Sequence, residues 1–224
     1  MITFPNFLAS SLIAVSALAN TAQTAQANLL TNAGFEAAGP NLAAGGSYCY
    51  LGYAPLDCGT VPSWSGTPQV IASNSGPWGD PSTNGGWTAA QGDRLAGLQN
   101  ASYMQQTLTL AAGGYLLTWL DSNRKNYGSG NDYQVQLDGG SLGLFNTIPG
   151  DAWAGNSLSF TVAAAGSHTL RFQGMGISVD GTAFVDDLRL TAAVPEPQSL
   201  AMVLLGLAVV GAMSRRKSVR RSIR

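Results

Sequence analysis

Along the chain, apolar and polar side chains alternate with a period near two in short runs, each bounded by clusters of Gly, Asn, Asp and Ser. The runs are Gln69 to Ala72, Ser102 to Leu110, Tyr115 to Leu120, Tyr133 to Leu137, Ser157 to Val162, His168 to Phe172 and Thr182 to Leu190. In the second run, Tyr103, Gln105, Thr107 and Thr109 alternate with Met104, Gln106, Leu108 and Leu110, and only Gln106 departs from the pattern. Period two over four to nine residues predicts half-buried strands. No helical stripe of comparable length interrupts residues 28 to 194, and 26 glycines among these 167 residues cut the chain into short pieces. Glycines in Ala112-Gly113-Gly114 and Asp138-Gly139-Gly140 supply the positive φ that tight hairpin turns require. Short strands at this spacing predict an all-β sandwich, with no internal repeat.

The two ends have a different character. Met1 to Ala27 carries no charged side chain, holds an apolar run from Phe7 to Ala19, and ends in Ala25-Gln26-Ala27. This predicts a signal peptide, residues 1–27, with export through the Sec translocon and cleavage by signal peptidase before Asn28. A cut after Ala19 is the alternative. Pro197 to Ser214 is also uncharged, with an apolar centre from Leu200 to Met213, and Arg215, Arg216 and Lys217 follow at once. At about 1.5 Å per residue, such a stretch reaches roughly 27 Å, just enough to cross a hydrocarbon core when basic side chains snorkel. A single transmembrane helix over about 198–214 and a basic tail at 215–224 are expected.

Val194, Pro195, Glu196 and Pro197, the short apolar stretch and the Arg-rich end together resemble the PEP-CTERM sorting signal of Gram-negative bacteria, here over residues 193–224. The resemblance implies export, inner-membrane anchoring before processing, and cleavage near Pro-Glu-Pro by an exosortase-type membrane peptidase. It further implies a final place in the cell envelope or outside the cell, in company with exopolysaccharide and biofilm matrix. The same tail type is also labelled as a C-terminal region of ice-binding proteins, but a sorting tail has no chemistry for ice.

Composition narrows the function. Only 10% of residues are charged while 45% are apolar, which excludes a broad basic nucleic-acid surface and charge-driven disorder. From Asn28 to Val194, eleven acidic side chains face five basic ones, whereas all six charges from Ser214 to Arg224 are basic. Cys49 and Cys58 are the only cysteines. In an exported protein they pair by default, which closes residues 49–58, pins a stretch rich in Gly45, Gly46, Tyr48, Tyr50 and Tyr53, and stabilises by roughly 2 to 3 kcal/mol. The lone histidine, His168, opens a strand run and reads as a solvent-facing residue. There is no Gly-x-Ser-x-Gly elbow, HExxH helix or phosphate loop. A glycoside hydrolase needs only two carboxylates and stays a remote alternative.

The body, residues 28–192, resembles the galactose-binding-like jelly rolls, which include many carbohydrate-binding modules. The residues that carry this are Asn28 to Glu36, Pro62-Ser63-Trp64, Tyr103-Met104-Gln105-Gln106, Gly114-Tyr115, and Phe184-Val185-Asp186-Asp187-Leu188. The resemblance implies a jelly-roll β-sandwich and a structural Ca²⁺ shared by Glu36, Asp186 and Asp187. Period two places Asp186 on the side of Phe184, Leu188 and Leu190, where a bare carboxylate is costly. It therefore needs an ion, an arginine or backbone donors, and hydrogen-bonded carboxylates are the alternative to calcium; no other cofactor is required. Sugar recognition needs aromatic faces and hydroxyl-bonding side chains. Trp78, Trp87, Trp153 and Tyr127 in loops, with Arg124, are the candidates for that role. For the loop tryptophans the alternative is loop anchoring, and for Arg124 a salt bridge to Asp121 or Asp132. Trp64 and Trp119 read as core. The sequence thus points to a non-catalytic polysaccharide-binding module, or alternatively to a structural surface protein with no sugar site.

Overall fold

The computed structural model of the chain describes residues 26–37, 47–54, 56–73, 75–78, 89–124, 131–147, 152–176, 180–193 and 205–206. Eleven strands alternate along these segments: β1 (Tyr48–Tyr50), β2 (Ser65–Gly66), β3 (Gln69–Ala72), β4 (Arg94–Gln99), β5 (Tyr103–Leu110), β6 (Gly113–Asn123), β7 (Tyr133–Leu137), β8 (Gly140–Phe145), β9 (Ala154–Val162), β10 (Gly166–Gly174) and β11 (Thr182–Ala192). One 3-10 turn, Gly76–Trp78, lies between β3 and β4. The strands form a six-stranded sheet, β1-β3-β4-β11-β6-β9, and a five-stranded sheet, β2-β5-β10-β7-β8. All strand pairs are antiparallel. The result is an all-β sandwich of jelly-roll type.

Every run read as a strand is one, most of them longer than the pattern suggested. Asp138 (φ 51°) and Gly139 (φ 80°) form the two-residue turn of the β7–β8 hairpin, since Leu137 pairs with Gly140. The Ala112-Gly113-Gly114 site has a different role from the one expected. β5 and β6 lie in opposite sheets, so the chain crosses the sandwich there, with Gly113 at φ 149°. β4 escaped the pattern because both of its faces are apolar. Ala96 and Leu98 enter the core between the sheets, while Leu95 joins a second cluster with Ile71, Trp78 and Phe184.

A bulge in β11 separates those two clusters. The register against β6 shifts between Asp186 and Arg189, and Asp187 takes φ 47°. One extra residue reverses the alternation. Ala183, Val185, Leu188 and Leu190 therefore all face the inter-sheet core, whereas Phe184 packs in the second cluster. Asp186 shares the side of Phe184, as period two implied, but not that of Leu188 and Leu190.

The inter-sheet core includes Trp64, Met104, Leu117, Trp119, Tyr133 and Phe172, in line with the core reading of the two tryptophans. Across it runs a buried polar link. Trp119 Nε1 on β6 donates to the Tyr133 hydroxyl on β7 at 2.6 Å, and that hydroxyl donates to Asp121 Oδ2 at 2.6 Å. Burial, then the adjacent carboxylate, raises the Tyr133 pKa well above the ordinary tyrosine value, so the hydroxyl keeps its proton. His168 bridges two turns, with Nδ1 2.7 Å from Asp138 Oδ2 and Nε2 3.0 Å from the Ala164 carbonyl. Tyr133→Phe removes the hydroxyl that accepts from the buried Trp119 indole N–H and donates to Asp121. It should destabilise the fold by roughly 2 to 3 kcal/mol, read from the urea unfolding midpoint.

Candidate functional site

The disulfide between Cys49 and Cys58 forms as expected, with 4.9 Å between the Cα atoms. It closes a loop on the outer edge of the six-stranded sheet. Within the loop, Tyr50 N donates to Leu56 O and Cys58 N to Tyr50 O, each at 2.8 Å. Asp57 Oδ1 accepts from Gly52 N and Gly59 N at 2.9 and 3.0 Å, and Gly52 turns the chain at φ 76°. Strand register then sets a row across the sheet: Tyr50 opposite Gln69, Gln69 opposite Gly97, and Gly97 opposite Phe184. A cleft of about 520 Å³ opens at the loop, lined by tyrosines on one side and by Thr67, Gln69, Gln99 and Ser102 on the other.

The rings form a continuous edge-to-face series from interior to surface. Phe184 meets Trp78 at 6.3 Å between centroids, Trp78 meets Tyr48 at 5.6 Å, Tyr48 meets Tyr50 at 5.8 Å, and Tyr50 meets Tyr53 at 5.7 Å. Tyr53, at the outer end, is 62% exposed. Partial burial, then Tyr48 and Asp180 nearby, raises the Tyr50 pKa, so its hydroxyl stays protonated. On the polar wall, Gln69 Nε2 donates to Gln99 Oε1 at 3.4 Å and Gln99 Nε2 donates to Asp180 Oδ1 at 2.7 Å. The site therefore offers a free aromatic face beside amides and hydroxyls.

Most of the residues singled out in the sequence do other work. Trp78 is only 3% exposed: the Arg124 guanidinium lies 4.3 Å from its ring centroid, and Tyr48 and Phe184 meet it on other sides. Arg124 Nη2 also donates to Pro77 O at 2.6 Å. Trp78 and Arg124 thus pack together on the sheet, the placement that loop anchoring implies. Trp153 is half-buried against the same cluster, so loop anchoring accounts for its position as well. Trp87 and Tyr127 lie outside the described residues. The exposed ring that the pattern missed is Tyr53. Its signal was the cysteine pair bracketing a tyrosine-rich loop.

Glu36, Asp186 and Asp187 come near one corner, around the Gln91 to Arg94 turn. Glu36 Oε1 accepts from Asp93 N and Arg94 N at 3.0 Å each. Asp186 accepts from Gln91 N at 2.8 Å and from Asp187 N at 2.7 Å, while Asp187 faces Arg189 at 3.4 Å. Among the described residues, no three His, Cys, Asp or Glu side chains are grouped to hold a metal ion. Glu36 and Asp186 thus bond backbone amides, and Asp187 meets a side chain. Burial raises the Asp186 pKa from 3.8 to about 7, against the pull of amide donors from Gln91, Asp187 and Ala90.

Residues 193–217 match the PEP-CTERM protein-sorting motif. That motif marks an exported protein for membrane-anchored processing by an exosortase. It starts immediately after β11. Val194, Pro195, Glu196, Pro197, Arg215 and Arg216 lie outside the described residues, as do residues 1–25 of the expected signal peptide. Of the expected membrane span only Leu205 and Gly206 are described, and among the described residues no helix is long and apolar enough to cross a membrane. Comparison with curated proteins returns no match.

Several solved structures are similar in fold. A family 61 carbohydrate-binding module in complex with β-1,4-galactotriose is 20% identical, covering 75% of this chain and 99% of its own, with a TM-score of 0.47. A family 35 carbohydrate-binding module from Clostridium thermocellum is 16% identical over 48% of this chain and 85% of its own, with a TM-score of 0.38. A module of a Cellvibrio mixtus lichenase in complex with cellotriose is 14% identical over 48% and 84%, with a TM-score of 0.37.

Two outcomes follow from the corner of Glu36, Asp186 and Asp187. The melting temperature should be the same in calcium and in EGTA; a rise with calcium would restore the metal. Between about pH 4 and 7, folded Asp186 holds a proton that the unfolded chain has lost, so its contribution to stability falls as pH rises through that window. The difference in unfolding free energy between the parent and Asp186→Asn should change with pH in that sense and level off above it.

Proposed function

We propose that the protein is an exported module of the Gram-negative cell envelope or extracellular matrix that binds polysaccharide without chemistry, at the tyrosine cleft. The observation that carries the reading is Tyr53, an exposed ring on a cross-linked loop, set against a wall of amides and hydroxyls. A pyranose presents an apolar C–H face and a rim of hydroxyls, and this pairing of surfaces matches both. On this reading the Sec translocon and signal peptidase act on the N-terminal segment, an exosortase acts near Pro195-Glu196-Pro197, and exopolysaccharide is the extracellular partner.

The direction of β11 supports presentation of the site away from a membrane. Gln99 of the cleft pairs with Thr182, the first residue of β11, whereas the sorting motif follows its last residue, Ala192. Eleven residues at about 3.3 Å each separate the two by roughly 30 Å. Hydrolysis would need two carboxylates flanking the sugar bond, and no carboxylate stands among the described lining residues of the cleft. That supports binding alone.

One observation favours the second reading, a structural surface protein that assembles with itself. β9 and β8 end the two sheets, and neither carries a charged residue or a proline along nine and six residues. Such edges lack the usual guards against strand pairing. On the opposite side β1 and β2 are only three and two residues long.

The two readings separate on mutation. Tyr53→Ala should weaken binding to a retained polysaccharide roughly tenfold with an unchanged melting temperature, since the loss of one stacked ring is worth about 1 to 1.5 kcal/mol. Trp78→Ala should instead destabilise the fold by about 3 to 5 kcal/mol. Concentration-dependent self-association with no polysaccharide retained on a glycan array would favour the structural reading.

A further inference from the structure

Resting on the polysaccharide-binding reading, we infer that the cleft takes an uncharged, hydroxyl-rich glycan and rejects uronic-acid and sulfated polymers. The inference comes from which hydrogen-bonding capacity the site leaves unmet. Gln69 is 2% exposed, and its Nε2 is occupied by Gln99; its Oε1 has no hydrogen-bond partner among the described residues. Gln99 in turn directs its own Nε2 to Asp180. The amide donors of this wall thus run in one direction, towards the Asp180 carboxylate, and leave an acceptor behind. Ser102 Oγ, also on the wall, is buried without a partner as well.

An orphan acceptor calls for a donor. A sugar hydroxyl both donates and accepts, whereas an ionised carboxylate or sulfate set at the same position only accepts and would leave Gln69 Oε1 unmet. Gln69 Oε1 is already unpaired in the free protein, so a donor that reaches it gains a hydrogen bond that an anionic group there does not. Charge acts in the same sense. No charged side chain stands among the described lining residues, the Asp180 carboxylate abuts the wall, and Arg124 is stacked on Trp78 and bonded to Pro77. From Asn28 to Val194 the acidic excess is six, since eleven acidic residues face five basic ones. Tyr53 and Leu56, the latter 41% exposed, complete the mouth with apolar surface suited to a pyranose C–H face.

The experiment uses the full chain in a detergent without a sugar headgroup. Binding is measured to dextran, laminarin, xylan and galactan, to dextran sulfate, and to polygalacturonate before and after chemical reduction of its carboxyl groups to alcohols. At least one uncharged polymer should bind tenfold or more tighter than dextran sulfate and polygalacturonate. Its affinity should change less than twofold between 20 and 300 mM NaCl, because no ion pair is formed. Leu56→Lys, at the exposed rim, should narrow the gap between uncharged and charged polymers without affecting folding. Tighter binding of a charged polymer, weakened by salt, would overturn the inference while leaving polysaccharide binding intact. An undiminished gap in Leu56→Lys would count against the role of charge and overturn it too. Retention of none of the polymers would remove the polysaccharide-binding reading itself.

Discussion

The cross-link between Cys49 and Cys58 is the constraint on which the candidate site depends. β1 has only three residues at the edge of a sheet, too few to hold a loop by ladder hydrogen bonds alone. The disulfide removes conformations from the unfolded chain, and Asp57 gathers the loop amides at Gly52 and Gly59. With β1 held against β3, Tyr50 is fixed opposite Gln69, and one wall of the cleft is set against the other. The exposed ring of Tyr53 then costs little further ordering, because Tyr50, Tyr48 and Trp78 buttress it edge to face down to Phe184. A binding surface of this kind is held by a covalent tie and a stack of aromatic contacts, on a sheet edge that would otherwise fray.

The bulge in β11 extends that logic into the body of the fold. It brings Leu188 and Leu190 to the same core face as Ala183 and Val185, while Phe184 and Asp186 lie on the opposite face of the six-stranded sheet. The second face, built by Phe184 with Ile71 and Leu95, is where Trp78 sits and the aromatic series has its anchor. Asp186 is buried beneath the Gln91 segment, where backbone amides bond its carboxylate.

How much of this was legible in the sequence follows from physical regularities. Strands with one wet and one dry face, such as β5 and β10, announce themselves by period two. β4 does not, because its residues feed two apolar clusters, and the bulge does not, because φ 47° at Asp187 leaves no mark on composition. The disulfide was readable from two cysteines and an export signal. The cleft was not: an exposed Tyr53 and a buried Trp78 look alike as loop aromatics until the register places one outside and the other beneath an arginine. Gln69 meets Gln99, its partner 30 residues on, only through the pairing of β3 with β4, which no local pattern encodes.

The most direct measurement is an NMR chemical-shift map of the protein titrated with an uncharged oligosaccharide that it retains. The account predicts shifts concentrated on Tyr50, Tyr53, Gln99 and Ser102, with the Trp153 indole and the Glu36 corner unmoved. Shifts centred on that corner, on the outer face of the five-stranded sheet, or on no contiguous surface would contradict it.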